Sequence, residues 1–521
     1  MKKTFTAIAA MLAMVSCATL KNGTHTVDIV SINDVQGRWF NEPYTEGGKV
    51  RGSLEALSDS ISRWHDKAGR ASLLIDAGDE LTGGDANFYY DYIDTLGPHA
   101  YSSMASLLGV NAIIPSQEDL NAPSWRRVSA QLKEQGISVI EGSDYKIFKL
   151  KGGIRVAVLG SCEALPAASA KKPALVILKS NGKQIPSNLT GIDVVLAAHD
   201  HRAYAETSDS TCIIDGGSYA RNFGHASVTL NVKHHKVASK HFDASAPSAG
   251  NSASRNGVSA RFLPEFLAVK SFVNSKIGIL SDDLSARMGY CGSSDYMNLY
   301  HSIALSYPGV DISFAAPLSI GGTIEKGDIH FYDIGERLYP FDNSIVVLRM
   351  TGDEVRRYLE ESYANWVTSS DEHIFLLKEG KDLKTGKPKL NFAKSPANFD
   401  SAAGINYTVD ITKPSGSRIS ISGMADGSAF SLSQTYNVAI TSYRASGTGG
   451  LLKAAGINPR NLESRLVQNG PAFRTILYQY LQENPVLSPS LLSNPSVVGT
   501  WKFIPSDKAS ELIRKDIEEI F

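Results

Sequence analysis

The segment VDIVSINDVQG, residues Val27 to Gly37, joins an apolar run to a polar loop that carries an acid. The apolar part is typical of a buried strand. Asn33 and Asp34 follow it at once, and Gln36 comes two residues later. In layered α/β domains the loops at the carboxyl ends of strands build the binding site. Asp34 is therefore a candidate site residue.

Three further loops of the first half place polar residues directly after an apolar run. They read DAGDELTGG (76–84), PSQED (115–119) and AAHDH (197–201). With Asp34 they supply Asp79, His199 and His201, side-chain types that bind divalent cations. Taken alone, an Ala-Gly-Asp segment serves turn geometry, and a His pair two residues apart fits an exposed strand end. The residue types alone leave a metal site and these ordinary explanations open.

The segments between these loops alternate in type, which is the signature of a layered α/β domain. The sequence predicts strands at 27–32, 72–75, 154–159 and 194–198, and helices at 54–65 and 124–134.

A stretch rich in Ser, Ala, Gly and Asn, SAPSAGNSASRNG (245–257), has the composition of a linker. We place the linker at 243–261, between domains at 26–242 and 262–521. The second domain begins with a predicted helix at 261–279 and continues with a strand at 345–350 and a helix at 353–363. Thr351 and Glu354 have the spacing of a capping box at the start of that last helix. We interpret this domain as α+β.

The N-terminus has the pattern of an export signal. Lys2 and Lys3 precede an apolar stretch from Phe5 to Val15, which is too short to span a bilayer and ends at Ser16 and Cys17. The ending resembles a bacterial lipoprotein box, which predicts a signal peptide at 1–17, lipidation of Cys17, and a location in the periplasm, the outer membrane or the cell surface. Plain secretion and a buried N-terminal helix are the alternatives.

Composition limits the choice of partner. The net charge of −1 gives no reason to expect nucleic acid as a ligand.

Three cysteines besides Cys17 do not form a disulfide framework, although one bridge with a leftover thiol remains open. We expect Cys162, Cys212 and Cys291 to be small buried residues.

Almost the whole mature chain resembles the 5'-nucleotidase family of secreted metallophosphoesterases. The family motifs are Asn-Asp-x-His-Gly, Ala-Gly-Asp, Gly-Asn-His-Glu, Ser-His and Gly-His-x-His, and the loops quoted above occur in the same order. The resemblance implies an α/β metallophosphoesterase domain, built as an α-β-β-α sandwich, followed by an α+β 5'-nucleotidase C-terminal domain that binds substrate.

The resemblance also assigns roles to individual residues. The first metal ion of the family would take Asp34, Gln36 in place of a His, Asp79 and His201. The ligands of the second ion would be Asp79, Ser116 in place of an Asn, Ser180 in place of a His, and His199. The catalytic histidine falls at Gln117. The expectation is one divalent ion, with Gln36 as a weak ligand and with Mn, Zn, Mg and Ca not distinguished.

In the C-terminal domain, the family clasps the nucleotide base between two aromatic rings. Phe341, Asn343 and Tyr443 stand at the matching positions, while a family Arg falls at Gly321 and a family Asp at Gly449. Both aromatic residues also fit an ordinary core.

These assignments predict a lipid-anchored protein that handles nucleotides or related phosphate esters with weak or no hydrolysis. One alternative is an active hydrolase that uses a single metal ion in nucleotide catabolism. A purely structural surface lipoprotein is the other.

Overall fold

The computed structural model forms two compact units that divide between Val273 and Asn274. It describes residues 19–46, 48, 50, 52–65, 71–181, 189–249, 258–341, 343–381, 386 and 388–521. The predicted signal peptide with Cys17, and residues 250–257 of the predicted linker, lie outside this range. Within it, no helix has both the length and the apolar character needed to cross a membrane.

Two six-stranded sheets form the centre of the first unit. The first sheet has the strand order Lys236–Ser245, Gly224–Lys233, Gly23–Ile32, Ala71–Asp76, Ala112–Ile113 and Ser138–Val139. The second has the order Tyr145–Leu150, Ile154–Leu159, Leu175–Asn181, Val194–Ala198, Cys212–Gly216 and Ala203–Thr207. The last four strands of the first sheet run parallel, as do the middle four of the second. Their carboxyl ends therefore lie at the same edge of each sheet.

One apolar core lies between the two sheets, and it explains their face-to-face packing. Val27 and Ile29 of the first sheet share this core with Val158, Ile177 and Leu196 of the second. Alternate residues along the strands are buried as well, because helices cover the outer faces; on the second sheet, Val176 and Val195 pack with Ala168 of the helix Leu165–Ser169. Burial on both faces accounts for the near-continuous apolar runs in the sequence.

The α-helices of the first unit include one, Leu263–Val273, that the sequence analysis placed in the second domain, and one, Val258–Arg261, that it placed in the linker. The helices are Leu54–His65, Asp85–Phe88, Ala100–Leu108, Gln117–Asn121, Trp125–Glu134, Leu165–Ser169, Val258–Arg261 and Leu263–Val273. In the last of them, the Phe266 ring lies 5.5 Å from Phe40 and 5.7 Å from Tyr44. These aromatic contacts attach the helix to the first unit. The predicted helix at 261–279 thus ends at Val273, and a strand follows at Lys276–Leu280.

The second unit is α+β. Its largest sheet has the order Ser401–Ala403, Ile312–Ala315, Thr435–Thr441, Ser344–Thr351 and Leu466–Ala472. Smaller sheets join Gly327–His330, Lys276–Leu280 and Val486–Leu487; Leu284–Ser285 and Thr323–Ile324; Leu377–Lys381 and Pro388–Phe392; and Ile419–Met424, Ile405–Asp410 and Trp501–Ile504. The α-helices are Asp295–Ser306, Phe331–Asp333, Gly352–Trp366, Ser442–Ala445, Leu451–Ala454, Phe473–Glu483, Pro489–Leu492 and Ser506–Ile520.

The helix Gly352–Trp366 begins as predicted. The Thr351 side chain accepts the backbone N–H of Glu354, and the Glu354 carboxylate accepts the backbone N–H of Thr351. Tyr358, Tyr363 and Trp366 of this helix are fully buried in the core of the second unit. The capping box thus fixes the start of the helix that carries the largest core side chains.

The three described cysteines are all free thiols, so the open possibility of one bridge does not hold among them. Cys212 is buried, as expected of a small apolar residue. The expectation is wrong for Cys162, which is exposed. Cys162 follows the strand Ile154–Leu159 and opens a short helical turn. Its place in a surface loop explains the exposure.

Asp516 attaches the C-terminal helix to the core of the second unit. It is buried, its carboxylate accepts the backbone N–H groups of Ile374 and Phe375, both at 2.9 Å, and its Oδ1 lies 2.6 Å from Nδ1 of His373. We expect Asp516→Ala to lower the free energy of unfolding by about 2–5 kcal/mol, because two buried donors lose their acceptor. Urea denaturation of the intact chain measures this loss. Glu518→Ala, at an exposed position of the same helix, is the matched control and should change stability by less than about 0.5 kcal/mol.

Candidate metal centre and ligand cavity

All five predicted metal-ligand positions lie in loops at the carboxyl ends of parallel strands. Asp34 follows Gly23–Ile32, Asp79 follows Ala71–Asp76, and both histidines follow Val194–Ala198. The first two loops continue to pair beyond their strands: the Asp34 N–H donates to the carbonyl of Gly78 (2.9 Å), and the Gln36 N–H donates to that of Asp79 (3.1 Å). Backbone pairing thus holds the two acidic loops side by side.

The same five residues share an unusual backbone conformation. Their φ angles are 53° at Asp34, 53° at Gln36, 62° at Asp79, 76° at His199 and 54° at His201. Residues with a Cβ rarely adopt this left-handed region, and each instance costs on the order of 1–3 kcal/mol. Strain of this kind concentrates where the direction of a side chain serves function. The geometry therefore supports these loops as a functional site.

Asp34, Asp79 and His199 form one group of possible metal ligands. One ligand atom from each lies within 4.8 Å of the others. The His199 N–H donates to Oδ2 of Asp34 (2.9 Å), and Nδ1 of His199 lies 2.8 Å from Oδ2 of Asp79. The remaining Oδ1 atoms of Asp34 and Asp79 are buried, and no N–H or hydroxyl of a described residue donates to either. Buried carboxylate oxygens without donors fit a bound cation.

The pKa values of this group reflect two carboxyl groups buried next to each other. Burial, together with contact with Asp79, raises the pKa of Asp34 to about 8. Burial also acts to raise the pKa of Asp79, but hydrogen bonds with Asp34, Ser116 and His199 outweigh it and hold that pKa below its usual value. The hydrogen bond to Asp79 raises the pKa of His199. These shifts favour a proton on one of the two carboxyl groups, and a divalent cation would offset the same negative charge.

His201 and Gln36 lie beside this group of three ligands. Nε2 of His201 lies 3.0 Å from the amide nitrogen of Gln36 and 3.5 Å from Oδ1 of Asp34. The Gln36 amide thus engages the ring nitrogen that would bind the metal. His199 is thus the histidine within the group of three, and His201 lies next to Asp34 outside it.

At two predicted ligand positions of the second ion the chain has serine residues. The hydroxyl group of Ser116 already makes hydrogen bonds within the protein. The Ser116 hydroxyl caps the helix Gln117–Asn121, accepting the N–H of Asp119 and donating to its carboxylate. Ser180 is buried on the strand Leu175–Asn181, beside Ala197. Gln117, at the catalytic position, is exposed and donates to Asn121 (3.3 Å). In the part of the first unit that the structure describes, no second group of His, Cys, Asp and Glu ligands forms.

Asp119 is a site residue that the sequence analysis missed. Its carboxylate accepts the backbone N–H groups of Asp79 (2.8 Å), Glu80 (2.9 Å), Leu81 (2.8 Å) and Ser116 (2.9 Å). One buried side chain therefore fixes the loops that follow two neighbouring strands. The spacing Ser116-x-x-Asp119 of a capping box was the available signal.

The predicted base-binding residues line a cavity of about 430 Å³ within the second unit. Phe341, Asn343 and Tyr443 all contribute to its wall. The Phe341 side chain is 45% exposed and that of Tyr443 is 42% exposed. The interpretation of both as core aromatics does not hold, because core residues are not half exposed.

A side chain at Gly321 or Gly449, where the family has an Arg and an Asp, would collide with neighbouring side chains. A Cβ at Gly321 would lie 2.7 Å from a ring carbon of Phe521. At Gly449, where φ is +84°, a Cβ would lie 2.4 Å from both Arg444 and Asn398. The close packing around Gly321 and Gly449 thus accounts for the absence of the two family side chains.

Comparison with known proteins identifies the second unit. Residues 275–456 match the family described as the 5'-nucleotidase C-terminal domain. The trifunctional nucleotide phosphoesterase YfkN of Bacillus subtilis is 30% identical over 208 residues, which cover 36% of this chain and 13% of that protein. A 2',3'-cyclic-nucleotide 2'-phosphodiesterase/3'-nucleotidase of Yersinia enterocolitica is 21% identical over 296 residues, covering 48% of this chain and 43% of that one. The chain thus spans less than half of each of these relatives.

Solved structures confirm the predicted fold class across both units. A protein of Staphylococcus aureus described as a 5'-nucleotidase superposes with a TM-score of 0.62 at 17% identity, covering 92% of this chain and 99% of that one. The NAD nucleotidase of Haemophilus influenzae gives a TM-score of 0.57 at 13% identity, with the same coverage. At these identities the likeness establishes the fold alone.

The ligand geometry predicts how many ions bind. We expect at most about one tightly bound manganese or zinc ion in the first unit after loading, because its described residues form one group of three ligands. Asp34→Asn, Asp79→Asn and His199→Ala should each abolish tight binding, whereas His201→Ala should weaken it less, since His201 bonds to Gln36. Elemental analysis and calorimetric titration measure both effects.

Asp200→Asn is the matched control for that titration, because Asp200 is an exposed acid between the two histidines. It should leave metal affinity unchanged. Two tightly bound ions that are both lost in Asp79→Asn, or a larger loss of affinity in His201→Ala than in His199→Ala, would contradict the ligand assignment.

Proposed function

Because this chain belongs to the 5'-nucleotidase family, we propose that it binds nucleotides or related phosphate esters and hydrolyses them weakly or not at all. The observation that carries the proposal is that the described residues of the first unit form one group of metal ligands, Asp34, Asp79 and His199. Ser116 and Ser180 stand where a second ion would need stronger ligands.

The ligand class is supported by the relatives. One curated relative is named as a nucleotide phosphoesterase and another as a cyclic-nucleotide phosphodiesterase/3'-nucleotidase. The C-terminal family match covers residues 275–456, which include the cavity residues Phe341, Asn343 and Tyr443. We infer a nucleotide or a similar phosphorylated small molecule as the partner.

Weak hydrolysis is argued from the chemistry of the groups at the site. A bound divalent ion polarises a phosphoryl oxygen and lowers the pKa of water, and a pair of ions stabilises both the attacking and the leaving oxygen. Asp34, Asp79 and His199 would hold one ion and leave the second role unfilled. Gln117 has a neutral amide that carries no positive charge and exchanges no proton at neutral pH. It supplies neither general acid–base catalysis nor charge stabilisation.

A lipid anchor completes the proposal. Lys2, Lys3, the apolar stretch 5–15 and the ending at Cys17 support export and lipidation. We propose a bacterial lipoprotein that resides in the periplasm, at the outer membrane or on the cell surface.

Phosphate release tests the loss of hydrolysis. With nucleoside monophosphates and manganese or zinc, we expect wild-type turnover to fall at least about 100-fold below roughly 1 per second. Gln117→His alone should not restore turnover, and neither should Ser116→Asn with Ser180→His, because the parts of such a site act as a unit. The four-fold variant that adds Gln36→His to these three changes is the one expected to gain activity.

Wild-type turnover of roughly 1–1000 per second, abolished by Asp79→Asn and unchanged in Asp200→Asn, would contradict the proposal. Such a result would favour an active hydrolase with a single metal ion.

Cell fractionation tests the anchor. The wild-type protein should partition with membranes and carry an acyl group on Cys17. Cys17→Ser should release the protein or leave an uncleaved precursor, which immunoblotting distinguishes by size. A wild-type protein that is wholly soluble and unacylated would disprove the anchor.

A further inference from the structure

Another group of possible metal ligands lies in the second unit, near the end of the C-terminal helix. It consists of His373, Asp516 and Glu519, and one ligand atom of each lies within 4.8 Å of the others. Asp516 and Glu519 are three residues apart on the helix Ser506–Ile520, so they share one of its faces. His373 lies 143 positions before Asp516 in the chain. The fold therefore brings metal-ligand side chains from two distant segments to one point.

The carboxylate of Asp516 is already oriented as a ligand. It is fully buried, and its Oδ2 accepts the backbone N–H groups of Ile374 and Phe375, each at 2.9 Å. These two hydrogen bonds fix the carboxylate, and its Oδ1 lies 2.6 Å from Nδ1 of His373. Hydrogen bonds to the second oxygen of a carboxylate orient the ligands of metal sites in the same way. An ion that binds here therefore meets a carboxylate that needs no reordering.

The charge at this end of the helix is negative. The last turn contains no basic residue, and the free carbonyl groups of a helix C-terminus add a partial negative charge. Among the residues that the structure describes, no Lys or Arg forms a salt bridge with Asp516 or Glu519. The nearby Lys515 instead donates to the carbonyl of Glu372 at 3.1 Å. A bound cation would offset the two carboxylates and the helix end together.

The distances within the group suit a zinc ion. Zinc binds His nitrogen and carboxylate oxygen at about 2.0–2.2 Å in a tetrahedral arrangement, which separates two ligand atoms by roughly 3.4 Å. Nδ1 of His373 lies 2.6 Å from Oδ1 of Asp516 and 3.9 Å from Oε2 of Glu519, so the observed distances bracket that value. The Glu519 side chain is 38% exposed, which lets solvent supply a fourth ligand. Because a site with a nitrogen donor binds zinc more tightly than manganese, zinc is the ion that fits best.

We propose that His373, Asp516 and Glu519 bind one zinc ion, separate from the ion of the first unit. The zinc ion takes the place of the hydrogen atom between Nδ1 of His373 and Oδ1 of Asp516, and water completes its coordination. It joins the helix Ser506–Ile520 to the segment that contains His373 and thereby stabilises the second unit. The inference goes beyond the proposed function, because nucleotide binding and hydrolysis do not depend on this ion.

Zinc binding by the untagged full chain tests the proposal, in an Asp79→Asn background that removes the ion of the first unit. After zinc loading and gel filtration, elemental analysis should find about one zinc ion per chain, and zinc should raise the melting temperature by about 5 °C or more. His373→Ala and Glu519→Gln should each weaken zinc binding at least about tenfold in calorimetric titration, because loss of a ligand costs no less than loss of a group that orients one. Glu518→Gln, exposed in the same turn, is the matched control and should change nothing.

Two results would overturn the proposal. If the Asp79→Asn chain retains no zinc, the hydrogen bond between His373 and Asp516 holds the helix without an ion. If zinc binds with unchanged affinity in both His373→Ala and Glu519→Gln, in variants with wild-type circular dichroism, the ion lies elsewhere. Either result leaves the proposed function standing, since nucleotide binding is assigned to other residues.

Discussion

The carboxylate of Asp119 is the constraint on which the metal centre depends. By accepting four backbone N–H groups, it fixes the loop that carries Asp79 against the loop that begins at Ser116. Pairing of Asp34 with Gly78 then sets the first loop beside the second. Two buried carboxylates consequently face one another with His199, and a shared proton or a cation must offset their charge. The left-handed backbone conformation of these loop residues costs free energy, and the surrounding hydrogen bonds offset that cost.

The sequence predicted the fold and the convergence of the site loops because both depend on regular patterns. Apolar runs marked strands that the structure places at 154–159 and 194–198, and parallel strands bring the residues after them to one edge. The contact of Gln36 with His201 was not predictable, because it depends on where the Gln36 side chain points. The helix Leu263–Val273 was assigned to the wrong domain because composition marks a linker but not the surface on which the next helix packs.

In the second unit, a single buried ion pair determines the character of the cavity. Arg444 and Asp400 neutralise each other and use all five guanidinium N–H groups within the protein. Gly449 belongs to the same arrangement, since a side chain there would collide with Arg444 and Asn398. Gly449 thus leaves the space in which Arg444 makes its hydrogen bonds. The same packing explains why the family Asp is absent at this position. The sequence identified the substitution but not this cause, because the contacts join residues about fifty positions apart.

The central claim is that the first unit holds one metal ion where the family holds two. Electron paramagnetic resonance of the manganese-loaded protein tests it most directly, because two ions about 3.5–4 Å apart couple their spins, whereas a lone ion does not. The account predicts the spectrum of isolated bound Mn²⁺ at every loading, lost in Asp79→Asn and retained in Asp200→Asn. A spin-coupled spectrum from a manganese pair would contradict it.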